Sequence, residues 1–340
     1  MGIAAGKKVG IKHVAEAAGV SPATVSQVYN HKGEVAAATR EHVLEVGSHL
    51  GYQPNALGQA LRSGRSRVIG VVVSYRDSAV WEQTYMPYYR NIIAGAAIEA
   101  VDHGYSISAA PSTAHGLVET RLPLDGVIVV DPVPGDPVVE QCIAQGLAVV
   151  IDGGYETTDR SARLITVKSD MDEGIPKVLA YLRAESSTSV FAPALFIGPR
   201  IDSYTADTLR AYEQWCEANG CAEIVTRLTA GHSPRDAARE LLTREPGTVT
   251  AVHCLNETYC AAVLEVADEL GIAVPEQLQV SVTGNATAVG AESRAVFLNL
   301  DPVDTGARCA RALIALLEGQ QVEDIVETVT LIPARRLARS

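Results

Sequence analysis

Aromatic residues are scarce in this 340-residue chain: three Phe and two Trp, with aromatics at 5% overall against 47% hydrophobic residues. Any core must therefore be built from small aliphatic side chains, the composition of an α/β protein rather than of a disordered one. Six cysteines (Cys142, Cys216, Cys221, Cys254, Cys260, Cys309) lie scattered with no Cys-x-x-Cys pair. That spacing excludes a zinc ribbon and a dithiol redox motif, and reduced thiols in a reducing compartment are expected. Long apolar runs are missing too. The longest, such as 68–73, are far too short to span a bilayer, and the first residues hold no apolar stretch of signal-peptide length. A cytoplasmic protein with no membrane partner is the expectation. Catalytic signatures are equally absent: no Gly-x-x-x-x-Gly-Lys-Ser/Thr, no Gly-x-Gly-x-x-Gly, no His-Glu-x-x-His and no Gly-x-Ser-x-Gly. No enzyme, no cofactor and no metal are expected. A catalytic set spread along the chain is the alternative that motifs do not exclude.

Basic residues are few, and the formal net charge is −12. The deficit is uneven. Residues 1–67 hold Lys7, Lys8, Lys12, Lys32, Arg40, Arg62, Arg65 and Arg67 against Glu16, Glu34, Glu41 and Glu45, a net +4. The remainder then carries −16. A basic head on an acidic body separates two tasks: the head can meet phosphates while the body keeps the chain soluble.

Within that head, residues 10–30 read as two short helices around a tight turn. Ile11, Val14, Ala15 and Ala18 recur at i, i+3, i+4 and i+7, one face of a first helix. Gly19 suits the left-handed residue that ends it. Ser21 is a good N-cap, and Pro22 is pre-shaped for the first helical position. Val25, Val28 and Tyr29 form the inward stripe of the second helix. Pro22, Ala23, Thr24, Ser26 and Gln27 are left outward, where a recognition helix meets base edges and phosphates. A helical hairpin without a partner is the plainer alternative, and the local positive charge weighs against it. A third helix is expected from about 38 to 49, with Val43, Val46 and Leu50 inward. A short helical patch at 55–63 follows, marginal in water by its length and by Gly58, and then a linker at 63–67.

From Val68 onward short apolar strand runs (68–73, 106–109, 126–130, 148–151, 164–167, 194–197, 249–254, 280–282) alternate with helical patterns near 86–102, 137–145, 172–184, 204–219, 233–244, 257–270 and 303–318. Such alternation predicts parallel sheets covered by helices. The length fits two sheets, with ligands at the carboxyl ends of their strands and a small molecule as the guest of a cleft between them.

The run Ile11-Lys-x-Val-Ala-x-x-Ala-Gly-Val-Ser-x-x-Thr-Val-Ser-x-Val-x-Asn30, with Thr39-Arg40, Leu50-Gly-Tyr52-x-Pro54-Asn55 and Leu61, resembles the lac repressor (LacI/GalR) family. Asp125-Gly126, Val274-Pro275-Glu276 and Ile332-Pro333-Ala334-Arg335-Arg336 extend the likeness into the body. The resemblance implies an all-α helix-turn-helix DNA-binding head plus hinge helix, then an α/β periplasmic-binding-protein-like core of two doubly wound subdomains. The implied boundaries are a head over 1–53, a hinge helix and linker over 54–67, and a core over 68–340. Within the core, the N-subdomain takes about 68–166 and 297–323, and the C-subdomain about 167–296 and 324–340. The function implied is that of a homodimeric transcription regulator, usually a repressor. It would bind a pseudo-palindromic double-stranded DNA operator under control of a small-molecule effector. With no leucine-heptad tail after the last subdomain, a dimer is expected rather than a tetramer. A regulator answering a protein partner, or no effector, is the near alternative. A binding receptor or enzyme is the far one.

Carried over residue by residue, the resemblance places Ser21, Thr24, Ser26 and Asn30 on phosphates and bases. Tyr52 and Asn55 lead into the hinge helix. Leu61 stands where the family wedges a leucine into the minor groove, which trades unstacking energy for a bent, more extensive contact. Gln27 stands where many relatives carry Arg. Arg reads guanine, whereas Gln suits adenine N6 and N7, so an A·T preference of roughly 1–3 kcal/mol is expected there. Ala36 replaces the Ser that usually opens the third helix. The implied effector residues are Ser74, Tyr75, Asp152, Thr208, His232 and Glu257. Thr208 occupies the position of the family's effector-binding Arg, so a rigid fork of donors is missing. That loss points away from the usual sugar or purine effector. Trp81, Tyr85, Tyr88 and Tyr89 are further candidate rings, and Trp215 is expected in the core.

Overall fold

The structure, a computed structural model, describes residues 9–29, 33–52, 65–73, 86–110, 112–113, 116–117, 123–157, 163–199, 201–229, 231–244, 247–286 and 294–334. The chain divides into two compact units, Met1–Ser66 and Arg67–Ser340.

The first unit holds three helices: α1 (Ile11–Ala18), α2 (Pro22–Tyr29) and α3 (Ala37–His49). They enclose a small core of Val14, Ala15, Ala18, Val25, Val28 and Val43. Gly19 closes α1 in the left-handed region (φ +63°). α3 opens on Ala36, which supplies no side-chain cap. The hinge patch, with Asn55, Gly58 and Leu61, lies outside the described residues.

The second unit contains two six-stranded sheets. The first runs in the order β13-β7-β6-β5-β1-β2 and is parallel throughout. Its strands are β1 (Val68–Val73), β2 (Ser106–Ala109), β5 (Gly126–Val130), β6 (Ala148–Asp152), β7 (Leu164–Ser169) and β13 (Ile325–Glu327). The second, β14-β12-β11-β10-β8-β9, is parallel except where β14 joins β12. Its strands are β8 (Pro193–Ile197), β9 (Ile224–Arg227), β10 (Ala251–Cys254), β11 (Gln279–Gly284), β12 (Val296–Asn299) and β14 (Thr330–Ile332). A two-stranded ladder of β3 (Ser112–Thr113) and β4 (Gly116–Leu117) completes the set. β5, β6 and β8 are buried along their whole length, as parallel strands covered on both faces must be.

Seven helices accompany the sheets: α4 (Met86–Asp102), α5 (Pro137–Ala144), α6 (Met171–Glu185), α7 (Ser203–Asn219), α8 (Pro234–Thr243), α9 (Glu257–Leu270) and α10 (Pro302–Leu317). From α5 onward each starts on a side chain that accepts a first-turn N–H: Asp136, Asp170, Asp202, Ser233, Asn256 and Asp301. These caps satisfy donors that the helices cannot pair internally. In the first lobe α4 packs on α10 at backbone contact. A Cβ on Gly95 would fall 1.8 Å from the Val303 carbonyl oxygen, and one on Gly306 would fall 2.1 Å from that of Ile92. Trp215 is buried in the second-lobe core, as expected, edge-on to Phe191.

Strand pairing moves three of the expected boundaries. β7 pairs with β6 through to Val167 and with β13 to Ser169, so the first crossover follows 169 rather than 166. β12 lies in the second sheet beside β11, so the chain returns to the first lobe after 299 rather than at 297. β13 extends the first sheet, so 325–327 belong to that lobe and the last crossover follows 327 rather than 323. Short edge strands carry too little periodicity to be assigned before their partners are known.

Candidate functional site

The helix-turn-helix presents one clear face. Ser21 Oγ accepts the Thr24 backbone N–H at 3.0 Å and lies 2.9 Å from the Thr24 hydroxyl, so it caps α2 as its residue type demands. Val25 and Val28 point inward. Ser21, Pro22, Ala23 and Gln27 are exposed, and Thr24 and Ser26 are half-buried. From α3, Arg40 Nη1 donates to the Val28 carbonyl at 3.2 Å, which satisfies an acceptor near the end of α2 and holds a cation there. Tyr52, expected to lead toward DNA, packs against the head core, with its ring edge-on to Tyr29 at 5.1 Å. Tyr29 in turn lies over Gly47, where a Cβ would meet its hydroxyl oxygen at 1.9 Å. Asn30 lies outside the described residues.

The second unit has a cleft of about 970 Å³ at the carboxyl ends of both sheets. The first lobe contributes Tyr88 and Asn91 from α4, Asp131 after β5, Asp152 at the end of β6, and Lys168 on β7. The second contributes Tyr204 and Asp207 from α7, Asn256 and Glu257 after β10, and Thr283 and Asn285 around the end of β11. Two contacts join the lobes directly. Ser203 N donates to the Pro132 carbonyl at 3.3 Å, and Lys168 Nζ lies 3.7 Å from Asp207 Oδ2.

Carboxylates dominate this cleft. The Tyr88 hydroxyl donates to Asp152, 3.1 Å from Oδ2 and 3.3 Å from Oδ1, and the Tyr89 hydroxyl donates to Asp131 at 3.2 Å. Burial, and then the charge of Asp131, hold the Asp152 carboxyl well above the usual range. Burial, and then Asp152, push the Tyr88 phenol up. Asp131 is held at φ +47°, a conformation uncommon outside glycine. Asp207 is shared by Lys168 and Arg210, whose Nη1 lies 2.7 Å away. Glu257 Oε1 accepts the Asn285 N–H at 2.7 Å and lies over Gly284, where a Cβ would meet that oxygen at 2.3 Å. Behind the wall, His253 is fully buried, with Nδ1 2.9 Å from Ser281 Oγ and Nε2 3.0 Å from Thr283 Oγ1.

Of the expected effector residues, Asp152 and Glu257 line the cleft. Thr208 does not: it faces the interior of α7, fully buried, and Asp207 beside it takes the cleft position. A helix turns about 100° per residue, so alignment on one position misplaces its neighbour's side chain. His232 is exposed just before α8, its ring nitrogen 3.0 Å from the Thr229 hydroxyl, and is not among the lining residues. Ser74, Tyr75, Trp81 and Tyr85 lie outside the described residues. Sequence reasoning missed Asp131, Lys168, Tyr204, Asp207 and Asn256. Asp131 and Asn256 were within reach, because each lies one or two residues past a strand end, where parallel sheets bind ligands.

Among the described residues, no helix is long and apolar enough to cross a membrane, and no group of three His, Cys, Asp or Glu residues could hold a metal ion.

A helix-turn-helix head followed by a two-lobed, cleft-bearing α/β body defines a DNA-binding transcription regulator with a binding-protein-like core. Comparison with known proteins agrees. Residues 10–55 match the family of bacterial regulatory proteins, lacI family, and residues 191–339 match a periplasmic binding protein-like domain. The chain is 27% identical to the HTH-type transcriptional regulator CelR of Thermobifida fusca, over 93% of this chain and 94% of that one. It is 24% identical to catabolite control protein A of Staphylococcus aureus, with the same coverage. In fold it resembles the lac repressor dimer bound to operator and the anti-inducer ONPF (TM-score 0.76, 21% identity, 96% of this chain and 98% of that one). It also resembles the CelR–cellobiose complex (TM-score 0.65, 23% identity, 96% and 99%). The chain belongs to the LacI family of transcriptional regulators, which are not enzymes.

Proposed function

We propose that this protein is a homodimeric, sequence-specific repressor that binds a pseudo-palindromic operator through α2 and is modulated by a small molecule held in the cleft between its lobes. The observation that carries the reading is the two-sided character of α2. Val25 and Val28 are sealed in a core while Pro22, Ala23 and Gln27 stand free at the N-terminal end of a capped helix. That is the geometry in which such a helix enters a major groove. The dimer is supported by α4, which exposes Ile98 at 64% and Val101 at 68% on one side. Adjacent exposed aliphatics of this size mark an association surface. The effector is supported by the cleft itself, whose size and mixture of carboxylates, hydroxyls and apolar walls fit a small polar molecule better than a protein segment. The relative CelR is described in complex with cellobiose. Here Asp152 and Glu257 are the family-position residues assigned to the effector.

A genome-wide DNA pull-down with the purified full chain tests this. A recurrent inverted repeat is expected, with A·T at the position read by Gln27. That preference should relax by roughly 1–3 kcal/mol in Gln27→Ala, the worth of one bidentate base contact. A chain lacking residues 1–66 should recover no motif. Recovery of the same motif by the truncated chain, or no enrichment by the full one, defeats the proposal.

A further inference from the structure

We infer that the cleft ligand is a small molecule carrying both a cationic amine and hydroxyl groups, an amino sugar or amino polyol rather than a neutral sugar or an anion. The assignment, which rests on the cleft being the effector site, comes from two independent features of its wall.

The first is charge. Asp131, Asp152, Asp207 and Glu257 line one cavity. The one cation lining it among the described residues is Lys168, which already lies against Asp207. Asp207 is paired besides with Arg210, and Glu257 is engaged by the Asn285 backbone. Asp131 and Asp152 instead face each other's field, each receiving a hydrogen from a tyrosine hydroxyl, Tyr89 and Tyr88 respectively. An anionic ligand is repelled by such a wall. A neutral sugar can donate hydroxyls to it but leaves its charge uncompensated. An ammonium group supplies both the hydrogen-bond donors and the opposite charge, and charge-assisted bonds are the stronger kind. The position where the family's cationic fork would stand is Thr208, buried away from the cavity. The ligand therefore brings the positive charge that this chain lacks.

The second feature is an unpartnered donor. Asn256 lines the same cleft with 9% of its surface exposed. Its Oδ1 is fixed by accepting the Tyr259 N–H at 3.1 Å, which caps α9 and sets the orientation of the amide. Its Nδ2 is buried with no hydrogen-bond partner. A buried N–H left unmet costs free energy until an acceptor arrives. An ammonium group accepts nothing, so the acceptor must be a different part of the ligand, and a hydroxyl oxygen serves. One wall thus asks for a cation and the other for an oxygen.

The test is calorimetric titration of the full-length protein at neutral pH with matched pairs: D-glucosamine and D-glucose, D-galactosamine and D-galactose, D-mannosamine and D-mannose. Spermidine is the cation without hydroxyls. At least one amino sugar is expected to bind about tenfold or more tightly than its neutral partner. That preference should collapse in Asp152→Asn and in Asp131→Asn. Either variant that still binds the selected operator is folded and counts. Asn256→Ala should weaken amine and neutral sugar alike, without changing their ratio. Neutral sugars binding as tightly as their amines overturn the amine, and spermidine binding more tightly than every amino sugar overturns the hydroxyl requirement. If no probe binds, the ligand class falls. If neutral sugars bind and alter operator affinity while amines do not, the class falls and the effector cleft stands.

Discussion

His253 shows what one buried side chain does to the pH response. It sits in the middle of the second sheet between two hydroxyls, and burial pushes its imidazole down to about 4. In the unfolded chain it titrates near 6.5. The unfolded state therefore binds the extra proton across the window from about 6.5 to about 4, and stability falls as pH drops through it. The contribution is fully present above 6.5 and lost by about 4, on the order of 3 kcal/mol for a shift of this size. Urea midpoints of the wild type at neutral pH and near 4.5 should diverge more than those of His253→Gln, which keeps hydrogen-bonding capacity but has no titration. Equal pH slopes would show that the imidazole is not what the core protects. Asp152 works in the opposite sense. With its carboxyl held up by burial and by Asp131, the native state favours the proton, so its charged form weighs on stability as pH rises. Neither effect was legible in the sequence. A lone histidine in an apolar run reads like any other, and a carboxylate acquires a shifted proton only from neighbours distant in the chain. Val130 could be placed at a strand end from its pattern. That Asp131 next to it would meet Asp152 required β5 and β6 to pair in register, Val130 opposite Asp152.

At the scale of elements, the α4–α10 pair shows most clearly that propensity and packing disagree. Exchanging a helical glycine for alanine raises intrinsic helix stability by about 1 kcal/mol. At Gly306 the added methyl would stand 2.1 Å from the Ile92 carbonyl oxygen, and at Gly95 it would stand 1.8 Å from that of Val303. Backbone atoms cannot step aside as a side-chain tip can, so the helices must separate. Gly306→Ala is expected to destabilise the protein by on the order of 1–3 kcal/mol, the range of core overpacking. A lower urea midpoint with an unchanged slope would register it, whereas a raised midpoint would show that propensity wins. Periodicity places α4 at 86–102, as observed, because a 17-residue helix repeats its pattern several times. It cannot reveal that two glycines on helices far apart in sequence form one contact. The same reasoning covers the edge strands. β13 and β14 have three residues each, too few to display alternation, and their partners assign them to different sheets.

For the whole molecule, the division of charge sets how the protein meets DNA. The basic head is joined to a body of formal charge −16, so phosphate contacts must come from the head. Operator affinity should fall steeply with salt, with a log–log slope of about −0.9 per phosphate neutralised. Titration of a labelled operator from low to physiological salt measures it. A slope near zero would show that α2 does not sit against the backbone of a duplex. Binding of ligand in the cleft involves one or two charges, so its salt dependence should be shallow by comparison.

Sequence alone determined the turn chemistry of the head, the alternation that yields two parallel sheets, and the asymmetry of charge. Each depends on residues near one another in the chain or on composition. The tertiary structure decided what the cleft contains. Asp131, Asp152, Asp207, Asn256 and Glu257 come from separate strand ends and helices, and meet only because two sheets turn their carboxyl edges toward one space. It also turned Thr208 inward and Asp207 outward on a single helix, a choice fixed by which face of α7 the second-lobe core covers. A chemical demand for positive charge thus appears in a cavity whose chain, read in order, shows only scattered acids.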